Sequence, residues 1–479
     1  PPRSTPSNSS AASDVYKRQI PWGNPVNLTV YYRVSDAQTM WHNGEFISSA
    51  TVLITGPSSW TLNNNYSINE LSSSYILTIF NDTVNQIGSY TVNISFTSPS
   101  GIYTNASLVN VPFRIRQLKT AIDFDPIATI PWGNNCTITL YYFVQDSESL
   151  YHNGKFLPYQ SLAITNPAGW TTTDNYSWSA NPTNYTIEID NATINQVKSY
   201  SISVVINSSS NVYENGSFVG IPFTVRALTT TITYDPVAPI PWGNNISLTL
   251  YYFVQDSESW YHNGQFISGE IVNITSPSGW NIPDNYTYQA NPANYTVNIV
   301  NESLLTVGIY YIDVEIRSSY GQFESATISQ IPIQVRALTT ILTYDAIVPV
   351  PWGNNATIAL HYKVSDPQSW YHNGEVISNG VPIITSPTGW VYTYNDNSPD
   401  NYTLNIDNSS IPLVQDYVIS VTINPSSNIY ASASISGLPF TVRPLSTNLF
   451  YDAVQDVPWG NNVSITIRYL VKDPASLYH

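Results

Sequence analysis

Five histidines in this chain of 479 residues stand directly before Asn-Gly or close the chain, and each follows an aspartate by six positions. The pairs are Asp36 and His42, Asp146 and His152, Asp256 and His262, Asp366 and His372, and Asp473 and His479. A carboxylate near an imidazole could hold a metal ion or move a proton. The ligand count argues against zinc, which takes three or four protein ligands. Each set offers one histidine, and the chain holds one cysteine, Cys136. No GxSxG, glycine-rich phosphate loop or nucleophile–base pair stands apart from these sets. Five copies in a row suit architecture better than catalysis, so no catalytic residue and no bound cofactor are expected. The histidines are read as turn or packing residues, because Asn-Gly favours a type I′ hairpin turn with positive φ at both positions.

The aspartates end a strand whose alternate residues are apolar, which points them inward or toward the loop base. A carboxylate there must find donors or a cation. Three partners fit: loop N–H groups, the arginine closing the preceding segment (Arg116, Arg226, Arg336 or Arg443), or a junction Ca²⁺ ion. For calcium the metal candidates are Asp146, Glu148, Asp256 and Glu258, since that ion needs several oxygens. The glutamate positions are elsewhere Gln38, Gln368 and Ala475, which weighs against it.

These sets belong to a longer repeat. The tryptophan of PWGN falls at 22, 132, 242, 352 and 459, steps of 110, 110, 110 and 107 residues. Trp60, Trp170, Trp280 and Trp390, and Tyr90, Tyr200, Tyr310 and Tyr417, keep the same step or nearly so. Solenoid repeats run roughly 20 to 50 residues; this period is the size of a domain with its own core. After PWGN, one phase reads Val26, Leu28, Val30, Tyr32, Val34, and the opposite phase varies between Arg33, Phe143, Phe253, Lys363 and Leu470. That is a half-buried antiparallel strand. A second strand opens at Tyr200 or Tyr310, and a third reads IPFTVR or IPIQVR. About seven short strands per period, punctuated by Gly, Pro and Asn, predict a β-sandwich.

The tyrosine opening a late strand resembles the tyrosine corner of immunoglobulin-like domains. The units, with the run from Tyr252 to Ser268, are similar to immunoglobulin-like repeats of archaeal and bacterial surface proteins, and the similarity extends from Ile20 onward. The expected fold class is all-β, with tandem immunoglobulin-like β-sandwich domains one period long. Very short linkers (QL, AL, PL) predict an extended, stiff rod. The boundaries read as 20–117 (first strand missing), 118–227, 228–337, 338–444 and a truncated 445–479. Residues 1–19 match nothing in the repeats and read as a non-native or disordered leader, and both ends read as cuts.

Trp132, Trp242, Trp352, Tyr200, Tyr310, Tyr417, Arg226 and Arg336 are read as structural. Core filling or loop anchoring explains aromatics that hold constant positions; a platform for stacking sugars is the rival reading. Cys136 takes the place of Val26, Ile246, Ala356 and Val463 and is read as a small apolar side chain. With 16 basic against 32 acidic residues, the net charge of −16 disfavours nucleic acid as a partner. No apolar run of 18 residues predicts a membrane span or membrane contact within this segment.

Asn-x-Ser/Thr acceptors number 21, against roughly ten expected from the composition. Recurrent ones are Asn135, Asn245 and Asn355; Asn184, Asn294 and Asn401; and Asn191, Asn301 and Asn408. Either the surface is simply rich in Asn, Ser and Thr, or the protein carries glycans outside the cytoplasm. The resemblance favours the second: an extracellular, cell-surface stalk or adhesive spacer whose partner is a surface protein or a glycan. Carbohydrate-binding modules attached to an enzyme, and a calcium-stiffened adhesin, are the alternatives.

Overall fold

The computed structural model describes residues 19–56, 65–397 and 401–477. Trp60, His479 and all of the leader but Gln19 lie outside the described residues. Gln19 opens a short strand, Gln19–Pro21, in register with Arg114–Arg116. The chain forms two compact units. One reaches Leu228 and also takes in Asp256–Asn263; the other holds Thr229–Gln255 and the residues from Gly264 onward.

The second repeat shows how the elements of the first unit arise. Its strands are β1 (Thr120–Phe124), β2 (Ile130–Pro131), β3 (Cys136–Val144), β4 (Ser161–Asn166), β5 (Tyr176–Ala180), β6 (Tyr185–Ile189), β7 (Lys198–Asn207) and β8 (Gly216–Arg226). They build two four-stranded sheets, ordered β5-β6-β3-β1 and β4-β7-β8-β2. All pairings are antiparallel except β2, which runs parallel to β8. In β3, residues 136, 138, 140, 142 and 144 are fully buried while their neighbours face out. Burying each of the large apolar chains among them stabilises the fold by roughly 1.5–3 kcal/mol. Ile202, Val204 and Ile206 of β7, and Ile221, Phe223 and Val225 of β8, close the core from the other sheet.

Cys136 lies in this core, and burial pushes its thiol up to about 12. Tyrosine hydroxyls pin loops from inside. Tyr185 donates to Leu157 O at 2.7 Å and accepts from Gln160 N at 2.9 Å. The tyrosine corner forms at Tyr200, Tyr310 and Tyr417, whose hydroxyls donate to Gln196, Thr306 and Leu413 O at 3.2, 3.0 and 3.1 Å.

Eight strands form where about seven were expected. The addition is β2, two residues ending in proline, too short for any alternation to register. It is held by position beside β8 and sets up the site described next.

The second unit repeats the architecture twice. In its first copy, Thr230–Tyr234, Ile246–Val254, Tyr295–Ile299 and Tyr286–Ala290 make one sheet, and Ile240–Pro241, Ala326–Arg336, Gly308–Arg317 and Ile271–Ser276 the other. Each sheet draws its strands from a single repeat. Single 3₁₀ turns occur at Asn301–Ser303 and Asn408–Ser410. No helix among the described residues is long and apolar enough to cross a membrane. Strand order and the tyrosine corner together make the units tandem immunoglobulin-like sandwiches.

Candidate functional site

The functional features converge where β8 ends. Because β2 runs parallel to β8, the Trp132 N–H donates to Arg226 O at 3.0 Å, and the PWGN turn emerges beside the Arg226 side chain. Gly133 takes φ +89°, a left-handed conformation open to glycine. The turn is fastened three ways: Trp132 Nε1 donates to Asn195 O at 2.9 Å, Asn191 Nδ2 to Gly133 O at 2.6 Å, and Asn191 N to Asn135 Oδ1 at 2.9 Å. The result is a rigid platform.

A loop docks on this platform through three contacts. In the first unit, the loop Asp256–Asn263 brings Asp256 to Arg226, with Nη1 to Oδ2 at 2.5 Å and Nη2 to Oδ1 at 3.0 Å. His262 stacks on Trp132 with ring centroids 5.0 Å apart. Asn134 reads the loop backbone, donating to Glu258 O at 2.7 Å and accepting from Trp260 N at 3.1 Å. The same unit repeats the latch between Arg116, Trp22 and Asn24 on one side and Asp146, His152 and Leu150 on the other. In the second unit, Arg336, Trp242 and Asn244 hold Asp366, His372 and Trp370. Arg443 and Asn354 there hold Asp473 and Leu477.

Of the partners open to the aspartates, the arginine and the backbone act together. Asp146 is 2% exposed, and its oxygens meet Arg116 and the N–H groups of Lys119 and Glu148. Bidentate pairing suits the planar guanidinium fork. The calcium candidates Asp146, Glu148, Asp256 and Glu258 are thus all engaged by arginine, Glu148 at 2.7 Å and Glu258 at 2.6 Å. Hydrogen bonding to Arg336 holds the Asp366 carboxyl down at about 2. The same interaction with Asp146 raises Arg116 above its ordinary value.

The Asn-Gly turn differs from expectation. Gly154, Gly264 and Gly374 have φ of +82°, +82° and +87°, but their Asn partners do not enter the positive region, so the turn is not type I′. The asparagines instead brace the loop from within, as their Oδ1 atoms accept from the N–H of Asp146, Asp256 and Asp366, each at 2.9 Å. This orients the carboxylate toward its arginine.

The packing role of the histidines extends to the PWGN platform one period upstream, a contact that sequence reasoning missed. In the three stacks the tryptophan precedes its histidine by 130 residues, as Trp22 does His152, and that constancy was the available signal. Burial lowers the His152 pKa, with Lys155 adding to the effect. Trp352, also read as structural, donates Nε1 to Pro412 O at 2.8 Å and is 48% exposed.

The glycan-acceptor asparagines fall into distinct chemical groups. Asn191, Asn301 and Asn408 spend Nδ2 on Gly133, Gly243 and Gly353 O at 2.6, 2.8 and 2.7 Å. Asn135, Asn245 and Asn355 instead use Oδ1, accepting from the backbone of the first group at 2.9 Å each. Asn184, Asn294 and Asn401 use Oδ1 as acceptors from Asn181, Asn291 and Asn397.

No protein-family model matches the chain, and no curated protein matches it. Among solved structures, it aligns with the titin I-band fragment I67–I69 at 10% identity, covering 67% of this chain and 96% of that one, TM-score 0.26. It aligns with the EC3–6 cis-dimer structure of protocadherin gammaB7 at 10% identity over 89% and 99%, TM-score 0.27. An endo-fucoidan hydrolase of glycoside hydrolase family 107 aligns at 11% identity over 68% and 44%, TM-score 0.19. At these scores the fold rests on the sheets themselves.

Proposed function

We propose that this chain is a non-catalytic, extracellular stalk or spacer, part of a glycosylated cell-surface protein of the kind that prokaryotes build from immunoglobulin-like repeats. The supporting observation is the latch: the same arginine–aspartate, tryptophan–histidine and asparagine–backbone contacts recur within each unit where a PWGN platform meets the next loop. Residues that look chemical one by one are consumed in joining modules. A latch with a 2%-exposed carboxylate resists bending and shields the short linker from water and proteases. The net charge of −16 and the many acceptor asparagines suit a hydrated surface that repels its own copies.

The test is mechanical and topographic. Pulling on the full chain should unfold the repeats one at a time, with Arg336→Ala lowering the force of its neighbours, and a membrane-impermeant label should reach the protein on intact cells. One all-or-none rupture indifferent to Arg336, or labelling only after lysis, would sink the reading.

A second reading has its own observation. Trp260 and Tyr261 are 68% and 65% exposed, and Trp370 and Tyr371 match them at 68% and 64%. Such paired aromatics could stack sugars of another molecule, which binding of soluble oligosaccharides quenching indole fluorescence would reveal.

A further inference from the structure

We propose that Asn245 carries an N-linked glycan whose first sugars lie against the indole of Trp370, so that the glycan becomes part of the junction inside the second unit; this rests on the glycosylated-surface reading above. A cavity of about 410 Å³ opens there, lined by Asn245, Ser247, Asp235, Thr249, Gln368 and Trp370 among others. Cavities of roughly 300–1,000 Å³ with an apolar wall and a few convergent polar groups are the usual size and character of small-molecule sites.

Three features select the occupant. First, Asn245 Oδ1 is fixed by the Asn301 N–H at 2.9 Å, which leaves Nδ2, the atom that bears an N-glycan, as its remaining polar group. Its acceptor partner Ser247 lines the same cavity. By contrast, Asn301 is also an acceptor by sequence, yet gives its Nδ2 to Gly243 O at 2.8 Å. Second, Trp370 is 68% exposed on a loop whose backbone is anchored there, its main-chain N–H donating to Asn244 Oδ1 at 3.0 Å. A large apolar face therefore stands open to solvent on an anchored stretch of backbone, and the C–H face of a pyranose is complementary to it. Asp235, Thr249 and Gln368 offer partners for hydroxyl and acetamido groups. Third, the pairing varies in step in the first unit. Asn135 follows Asn134, whose Oδ1 accepts from the main-chain N–H of Trp260; where Pro25 replaces the acceptor, after Asn24, the residue donating to that asparagine is Leu150. Asn355 is the informative exception, an acceptor following Asn354, whose Oδ1 accepts from the main-chain N–H of Leu477.

The covalent step requires a lipid-linked glycosyl pyrophosphate and its transferase. Nδ2 attacks the anomeric carbon and loses one proton, the new C–N bond replaces the C–O bond to pyrophosphate, and the lipid pyrophosphate leaves with the electron pair. Nothing is oxidised or reduced.

The experiment expresses the full chain in an N-glycosylating host, maps occupied asparagines by mass spectrometry, and times release by peptide N-glycosidase from the native protein. Asn245 should be occupied and should release its glycan about threefold to tenfold more slowly than Asn355, the range expected of one aromatic stack. Trp370→Leu should abolish the difference without altering occupancy. Equal release rates in the parent protein, or a difference that Trp370→Leu leaves intact, would overturn the stacking. An empty Asn245 with other acceptors filled would overturn this site and spare the glycosylated-surface reading; no occupied acceptor at all would overturn both. Saturable binding of soluble oligosaccharide at Trp370 in Asn245→Gln protein, with Asn245 unmodified in the parent, would show instead a receptor for sugars of other molecules.

Discussion

The two units make the same latch with different third partners. In the first, Arg116 reaches Asp146 and then Glu148 at 2.7 Å; in the second, Arg336 reaches Asp366 and then Gln368, also at 2.7 Å. A carboxylate and an amide both serve, and beside Arg443 and Asp473 the position is Ala475, so the third position needs no charge. The reason lies in burial. Glu148 is 67% exposed at its side chain, whereas Asp146 and Asp366 are each 2% exposed at theirs. Water screens the outer charge, and the inner pair, cut off from water, dominates the contact.

The largest effect should follow from removing the inner cation. Arg116→Ala and Arg336→Ala each leave a buried carboxylate without its counter-charge, which costs about 3 kcal/mol. Denaturant unfolding of the full chain, followed through each junction by hydrogen exchange, should show equal losses in both units. A markedly larger loss at Arg116 would mean that Glu148 contributes its charge after all.

Acid should weaken the same pair. The folded Asp366 carboxyl sits at about 2, below its ordinary value near 3.8, so it binds protons less readily folded than unfolded. Its contribution, on the order of 2 kcal/mol, is present above about pH 4 and is lost as the pH falls toward 2. The stability difference between the parent and Asp366→Asn should shrink over that window. A difference unchanged at pH 2 would show that the pair is not what the acid reaches.

Two glycines of the second unit separate backbone strain from contact. Gly243 and Gly374 have nearly equal φ, +88° and +87°, but a Cβ on Gly243 would stand 2.5 Å from His372 Nε2, while one on Gly374 would meet nothing within 4 Å. Gly374→Ala should cost only the left-handed penalty, about 1–2 kcal/mol. Gly243→Ala should cost that and displace His372 from Trp242, visible as a change in indole fluorescence. Identical behaviour of the two variants would deny the histidine its place in the latch.

The sandwich was legible because period-two burial leaves a direct trace: residues 136, 138, 140, 142 and 144 could be placed inward from sequence, as could the corner tyrosines. The latch was legible only in part. The spacing named the arginine closing one repeat as one possible partner for the aspartate of the next, but it could not decide among arginine, backbone and calcium. A carboxylate in a loop looks the same in sequence whichever cation it meets, and the bidentate fork exists only once two modules are placed. The Trp132–His262 stack was passed over for a related reason: its constant spacing was there to read, but each residue also had a sufficient explanation inside its own repeat. The two-residue strand Ile130–Pro131 escaped because parallel pairing beside β8, and no pattern of its own, makes it a strand. The division of the acceptor asparagines into those with Nδ2 bound and those with Nδ2 left over likewise depends on which atom faces the neighbouring turn.

The smallest effect sharpens the opening contrast most directly. Glu148→Gln should convert the first latch to the chemistry of the second, and Gln368→Glu the reverse. Both keep an oxygen about where Arg116 or Arg336 Nη2 needs it, so each should change stability by under about 1 kcal/mol, the range of an exposed pair. The sign should depend on salt: Glu148 should gain slightly over Gln at low ionic strength and lose that gain as screening shortens toward roughly 3 Å near 1 M. Gln368→Glu should mirror it. If instead either exchange cost as much as removing the arginine, the outer position would be reading charge in a buried setting, and the exposure that separates Glu148 from Asp146 would no longer explain why one residue varies between the units and the other does not.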